Sequence, residues 1–201
     1  SSRTGRLRGT IDRSEELQLG FSLQNQSEQN QVVKAAFPVL GGIGWSEGYV
    51  KDRYLYPYCT GIVLDHPAYF RSGYGGGRTY YQTMASYCPA LGGGLFLRVN
   101  AQSGEYKILH MLKADARESD PTFRLDPTLS DALHGRAPYE LILWEPVQES
   151  LGTSMAFSSF GRDLEPEERW RVAKATLGGM NGDWRVAMEA YRRWFEGFSH
   201  K

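Results

Sequence analysis

Several features that would assign a function directly are scarce in or missing from this 201-residue sequence. It has only two cysteines, Cys59 and Cys88, too few for a disulfide scaffold, and two free buried thiols are favoured over a bridge. No apolar run approaches the ~20 residues of a membrane-spanning helix. The first residues lack the charged-then-apolar order of a signal peptide, so the sequence is compatible with a cytoplasmic or a secreted parent protein.

Surplus charge is also absent, because lysine plus arginine equals aspartate plus glutamate at 23 each. A nucleic-acid partner is therefore not expected, since phosphate binding needs a basic surplus or a clear basic stripe. One short basic cluster, formed by Arg3, Arg6 and Arg8, lies at the start of the chain. We interpret this cluster as a loosely held terminus, as chain ends commonly are.

A complete catalytic or metal site is not visible among the polar residues. The histidines show neither HxH nor HExxH spacing, so no metal and no cofactor is expected. The acidic residues cluster in polar loops and form no recognisable pair for sugar hydrolysis. His110 lies in a predicted strand and is a candidate for acid–base chemistry, of the kind that a mutarotase would need.

Aromatic residues and glycine, in contrast, are abundant. The chain has 12 tyrosines, 5 tryptophans and 23 glycines, a combination common in β-sandwiches and in sugar-binding proteins. Trp45 and Tyr74 lie in glycine-rich segments that we interpret as exposed loops, the second of them at residues 71–78. Both are candidates for carbohydrate binding, with Arg78 supplying a fork of hydrogen-bond donors.

Most of the chain has the alternating pattern of β-strands. Residues 17–23 place apolar side chains on one face and polar side chains on the other, which predicts a half-buried strand. A hairpin is predicted where residues 95–99 and 106–112 flank a turn-forming segment. Residues 139–147 are predicted as a further strand. Residues 168–179 fit either a strand or a helix, and the strand is favoured.

The strongest helical pattern lies at the end of the chain. One apolar stripe recurs there at helical spacing, formed by Trp184, Ala187, Met188, Tyr191, Trp194, Phe195 and Phe198. Asp183 is placed to cap the helix, with Gly182 before it. The stripe is too apolar to be left in water, so we expect part of it to pack on the sandwich and part to contact another domain. An exposed apolar patch near Trp194 and a tendency to self-associate follow from this expectation.

Four segments in this order, residues 32–44, 52–67, 80–111 and 182–195, resemble the N-terminal β-sandwich of large, mostly bacterial glycoside hydrolases and glycosidase-like proteins. In those proteins the sandwich precedes a (β/α)8 catalytic barrel. Their junction motif, GDW--A---YR-W, is matched here by Gly182, Asp183, Trp184, Ala187, Tyr191, Arg192 and Trp194. Their hairpin motif is matched by Gly94, Leu95, Phe96, Gly104 and Lys107, whereas Asn100 and Ala101 replace its usual His-Asp pair.

The resemblance implies a mainly β fold, an antiparallel β-sandwich of the galactose-mutarotase-like supersandwich type with a C-terminal α-helix. Residues 1–181 would form the sandwich and residues 182–201 a junction helix leading toward the barrel. Because the catalytic carboxylates of such enzymes lie on the barrel, no catalytic residue is expected in this chain.

The implied function is that of an accessory domain that braces the barrel and lends a loop to the sugar cleft. Its expected partners are carbohydrate and the barrel of the same parent. The barrel-facing residues would be Trp184, Met188, Tyr191, Trp194 and Phe195. Two alternatives stay open: a stand-alone carbohydrate-binding module, and a mutarotase-type sugar epimerase.

Overall fold

The computed structural model describes residues 5–11, 16–74, 79–102, 107–115, 152–159 and 161–199. The strands in these ranges are β1 (Gly5–Ile11), β2 (Glu16–Gln24), β3 (Gln31–Val33), β4 (Ala36–Ile43), β5 (Arg53–Tyr56), β6 (Ile62–Leu64), β7 (Ala68–Tyr74), β8 (Thr83–Cys88), β9 (Gly93–Val99), β10 (Lys107–Ala114), β11 (Gly152–Ser159), β12 (Arg162–Leu164) and β13 (Arg169–Asn181). One α-helix, α1 (Trp184–Ser199), follows β13.

Two antiparallel sheets pack face to face and form a β-sandwich. The larger sheet has seven strands in the order β1-β2-β13-β9-β8-β5-β6, and the smaller has four in the order β4-β11-β10-β7. Strands β3 and β12 pair separately as a two-stranded ribbon. The mainly β, antiparallel fold with a C-terminal α-helix that the sequence predicts is therefore confirmed.

The main core lies between the two sheets. Alternate residues of the facing strands fill it, because successive side chains of a strand point to opposite faces. Its most buried members, each at most 2% exposed, are Tyr54, Tyr56, Met84, Leu97, Val99, Leu109, Met111, Met155, Phe157 and Ala175. The Tyr56 hydroxyl donates to the carbonyl oxygen of Leu109 at 3.0 Å, so the polar end of this ring is satisfied while the ring packs.

Helix α1 packs on the outer face of the larger sheet. Its small residues Ala187 and Ala190 contact a second core cluster that includes Phe96 and Met180. Gly182 precedes the helix with φ +130°, a conformation that L side chains rarely adopt. The Asp183 carboxylate accepts a hydrogen bond from the backbone N–H of Arg185 at 2.9 Å, which confirms the predicted N-cap.

The predicted hairpin between residues 95–99 and 106–112 is wrong. Strands β9 and β10 exist, but β9 lies between β13 and β8 in the larger sheet, whereas β10 lies between β11 and β7 in the smaller one. The segment between them therefore crosses from one sheet to the other. Both strands are largely buried, so alternation along either one carries no information about its pairing partner.

Of the other local predictions, some are confirmed and some are wrong. Of the segment 168–179, all but the first residue lie in β13, as favoured, and both cysteines are free. Arg6 and Arg8 do not lie in a loose terminus but in β1, which pairs with β2 along its length. The first four residues of the predicted loop at 71–78 belong to β7. Arg3 and the predicted strand at residues 139–147 lie outside the described ranges.

Candidate functional site

A groove lies between one flank of α1 and the two tyrosines that precede β8. Its volume is about 520 Å³, within the range of roughly 300–1,000 Å³ that is typical of ligand pockets. We call it the helix groove. It is lined by Tyr80, Tyr81, Trp184, Arg185, Met188, Glu189, Tyr191, Arg192 and Phe195.

The groove follows from two adjacent lines of side chains along α1. Ala187 and Ala190 form the line that is buried against the sheet. Trp184, Met188 and Phe195, at i, i+4 and i+11, form a second line that faces the groove. At about 3.6 residues per turn the two lines are rotated by roughly a quarter turn. The broad apolar stripe of α1 therefore forms two surfaces: one is covered by the sandwich, and the other lines the open groove.

Large apolar side chains remain exposed along the groove. Tyr80 is 60% exposed and Phe195 is 44% exposed. Tyr191 joins the two walls: its ring meets that of Tyr81 edge-on at 5.7 Å and stacks near Phe195 at 6.2 Å. Burial raises the pKa of Tyr191 to about 12, so its hydroxyl is neutral at pH 7.

The charged residues on the groove rim neutralise one another. The Arg192 guanidinium binds both carboxylate oxygens of Glu189, at 2.6 and 2.9 Å, and also Glu196 at 2.7 Å. These bonds hold the pKa of Glu189 below its usual value. Arg185 pairs with Asp183 and lies over the Trp184 ring at 4.9 Å. The groove thus combines apolar walls with a rim whose charges are already paired.

Arg98 fixes the position of the helix that forms the groove. Its guanidinium donates to the carbonyl oxygen of Ala190 at 2.9 Å and to the Thr176 hydroxyl at 3.3 Å. It lies 5.4 Å from the centre of the Trp194 ring and 3.6 Å from the Glu16 carboxylate. This role is not among those predicted from the sequence, although a lone arginine within the apolar strand β9 is a signal that could indicate it.

The predicted carbohydrate-binding residues occupy different surroundings. Trp45 lies in the loop after β4 and is half-buried; its indole N–H donates to the Ser86 hydroxyl at 3.1 Å. Tyr74 ends β7 and packs against the main core, not in an exposed loop. Arg78 lies outside the described residues. Within the described ranges no contact joins Trp45 to Tyr74, so their shared role in sugar binding stays a prediction.

Four of the five predicted interface residues, Trp184, Met188, Tyr191 and Phe195, line the groove. The fifth, Trp194, packs instead over the Arg98 guanidinium and beside the Tyr191 ring. The exposed apolar surface is therefore centred on Phe195 and Tyr80 rather than on Trp194.

His110 does not have the geometry that acid–base catalysis in a cleft requires. The side chain is 2% exposed, and its ring nitrogens lie 3.2 Å from the Tyr69 hydroxyl and 2.7 Å from the Ser158 hydroxyl. Burial lowers the pKa of His110 to about 3, so the imidazole is neutral at pH 7 and shielded from solvent. The described ranges also contain no group of three or more His, Cys, Asp or Glu side chains that could hold a metal ion.

Comparisons with known proteins identify no family. No family model and no curated protein matches the sequence. One similar solved structure is that of a TPR-domain-containing protein from Parabacteroides distasonis ATCC 8503, with 10% sequence identity and a TM-score of 0.47. The match covers 92% of this chain and 31% of that one, so this chain spans less than a third of its length. In the described part of the chain, no helix combines the length and the apolar character that crossing a membrane requires.

Proposed function

We propose that this chain is a non-catalytic accessory β-sandwich of a larger glycoside hydrolase-like protein, and that the helix groove docks onto the barrel of that parent. The observation that carries the proposal is the open apolar line on α1 opposite Tyr80 and Tyr81. The match of residues 182–194 to the junction motif supports the choice of a barrel as the occupant.

The composition of the groove supports a protein partner. Interface cores are enriched in tyrosine, tryptophan, phenylalanine, methionine and arginine, and those five residue types supply eight of the nine groove residues. Arg192 is already paired with Glu189 and Glu196, and Arg185 is paired with the N-cap residue Asp183. Docking an apolar surface would therefore leave neither arginine unpaired in the interface.

The non-catalytic role is supported by the state of the polar groups. His110 is buried and neutral, so it is not placed to supply the acid–base group that a mutarotase would need. We expect the isolated chain to leave a panel of nitrophenyl glycosides unhydrolysed. Turnover that persists after repurification and is saturable would contradict a purely accessory role.

The docking proposal is tested by site-specific photo-crosslinking in the complete parent polypeptide. Benzoylphenylalanine replaces Tyr80 in the groove or, as a control, Lys51, an exposed residue that does not line it. Mass spectrometry should identify barrel peptides joined to position 80 and none joined to position 51. Crosslinks from position 80 that stay within the sandwich would overturn the proposal, as would a parent that encodes no barrel.

A stand-alone carbohydrate-binding module is the second candidate, favoured by the aromatic rings of Tyr80, Trp184 and Phe195 in a ligand-sized groove. It predicts that neutral oligosaccharides bind the isolated chain with millimolar to micromolar affinity. Calorimetric titration of Trp184→Ala should then show weaker binding. The same titration of Trp45→Ala and Tyr74→Ala tests the sites proposed from the sequence, and flat titrations of the unaltered chain would exclude this candidate.

A further inference from the structure

The side chains of α1 that line the helix groove have a regular spacing. Trp184, Met188, Tyr191 and Phe195 follow one another at intervals of four, three and four residues. This is the spacing of the a and d positions in a heptad repeat. At about 1.5 Å per residue, the line from position 184 to position 195 is about 16.5 Å long, which is three turns of helix. We call these four side chains the seam.

The spacing of the seam suits a second helix. Because an α-helix has about 3.6 residues per turn, side chains at heptad spacing stay within a narrow strip that turns only slowly around the helix. A partner helix with a nearly aligned axis can contact this strip along its whole length and insert its own side chains between those of the seam. A strand matches the strip less well, because its alternate residues lie about 6.8 Å apart, whereas seam residues lie about 5.5 Å apart along the axis.

The second wall of the groove turns the seam into a trough. The Tyr81 ring meets the Tyr191 ring edge-on at 5.7 Å, so this wall contacts the seam near its middle. Tyr80 is 60% exposed, and the volume between the walls is about 520 Å³. Packed helices have axes about 8–10 Å apart. A helix at that distance from α1 could contact the seam and the tyrosine wall at the same time.

The charged residues beside the seam complement an uncharged stripe on the partner. Arg185 and Arg192 each follow a seam residue and lie seven positions apart, so they flank one side of the seam as e positions do in a coiled coil. Arg185 is paired with Asp183, and Arg192 with Glu189 and Glu196. An apolar stripe can therefore dock without leaving either arginine unpaired. A glycan fits this rim less well, because sugar hydroxyls need polar side chains that are available to bond them.

We propose that the helix groove receives an amphipathic α-helix of about three turns or more, whose axis is nearly aligned with α1 and whose apolar side chains repeat at heptad spacing. The assignment of this helix to the barrel rests on the proposed function, and the outer layer of a (β/α)8 barrel consists of helices. The helical character of the partner rests on the seam, the tyrosine wall and the paired rim.

The proposal is tested by measuring the distance between two crosslinks along the partner. Benzoylphenylalanine replaces either Trp184 or Phe195, the two ends of the seam, in the complete parent polypeptide. Mass spectrometry then identifies the partner residue joined to each position. Two aligned helices rise equally, so the two partner residues should lie in one segment, about eleven residues apart. An extended segment covers the same 16.5 Å in about five residues. A separation of about five residues, or crosslinks to unrelated segments, would overturn the proposal.

Position 193 supplies the matched controls. Arg193 is exposed, does not line the groove, and lies about 200° around the helix from both Tyr191 and Phe195. Benzoylphenylalanine at position 193 should join no barrel peptide. In the parent that carries the crosslinker at position 195, Met188→Glu places a charge in the seam and should reduce the crosslink yield about fivefold or more. Arg193→Glu should leave the yield unchanged. Equal yields from these two variants would contradict the proposal, and circular dichroism verifies that both keep the fold.

The outcomes separate this inference from the proposed function. Barrel peptides without the eleven-residue separation would support barrel docking and overturn the helical partner. An eleven-residue separation in a second copy of this chain would support the helical partner and overturn barrel docking. Maltohexaose at millimolar concentration should leave both crosslinks unchanged. Loss of both in its presence would overturn the proposal and assign the groove to a glycan.

Discussion

Arg98 and Lys113 are buried cations, whereas Tyr80 and Phe195 are exposed aromatic residues, and both pairs depart from the usual distribution of residues. The buried pair is satisfied from within the chain: Arg98 by Ala190 and Thr176, Lys113 by Asp115 and two backbone carbonyls. The exposed pair lines one groove, with 60% of Tyr80 and 44% of Phe195 accessible to solvent. The buried polar groups thus hold the fold together, whereas the exposed apolar groups form a surface that a partner could cover.

Removing the buried Lys113 should have the largest effect on the stability of the fold. Its ammonium lies 3.5 Å from the Asp115 carboxylate, and both side chains are fully buried. It also donates to the backbone carbonyl oxygens of Asp52 and Asp65. We expect Lys113→Ala to lower the free energy of unfolding by about 3–5 kcal/mol in urea denaturation. The exposed Lys51→Ala is the control, and a loss below about 1 kcal/mol at position 113 would contradict this role.

Removing Arg98 should have the next largest effect. Arg98→Ala takes a donor from the carbonyl oxygen of Ala190 and a cation from beside the Trp194 ring. We expect a loss of about 2–3 kcal/mol in the free energy of unfolding, together with a change in tryptophan fluorescence as α1 loosens. Arg185→Ala, on the exposed side of the same helix, should cost less than about 0.5 kcal/mol. Equal costs at the two positions would show that Arg98 does not anchor the helix.

The buried His110 should make the stability of the fold depend on pH. Its pKa is lowered from 6.5 to about 3 in the folded chain, so the unfolded chain binds this proton more readily. The stability due to neutral His110 is fully present above pH 6.5 and is lost as the pH falls toward 3. At pH 5 the loss is about 2 kcal/mol relative to pH 7.5. Urea denaturation at both pH values measures it, and His110→Gln should flatten this part of the pH dependence. An unchanged slope in that variant would assign the acid sensitivity to other groups.

The smallest expected effect on stability belongs to the exposed aromatic residues. Tyr80→Ser and Phe195→Ser should each change the free energy of unfolding by less than about 0.5–1 kcal/mol, because neither side chain is buried. Both should reduce self-association of the isolated chain in sedimentation velocity, since the groove is the open apolar surface. Val32→Ser is the matched control, because Val32 is 68% exposed and lies outside the groove. An equal reduction by all three variants would show that association is not specific to the groove.

Local sequence patterns predicted the individual strands and the helix better than they predicted which strands pair with each other. The alternation in residues 17–23 predicted β2, and the apolar stripe with Asp183 before it predicted α1 and its cap. Both signals are local, because they depend on the period of one strand or one helix. The pairing of β9 and β10 could not be predicted in this way, since nearly buried strands look alike whichever sheet they join.

The same contrast holds for the helix groove, of which one wall could be predicted from the sequence and the other could not. The helical spacing of apolar residues is enough to predict an interface role for Trp184, Met188, Tyr191 and Phe195, which line the groove. The opposite wall, Tyr80 and Tyr81, has no pattern that would link it to residues about a hundred positions later.

Local patterns in the amino-acid sequence are therefore enough to predict that the chain is mainly β, that a capped amphipathic helix follows the strands, and that this helix has more apolar surface than one contact needs. Periodicity and capping depend on residues only a few positions apart, so both can be recognised in the sequence alone. Which half of that surface is covered by the sheet and which half remains open depends on the tertiary structure. Those outcomes depend on strand order and register, which arise when the two sheets pack around a common core.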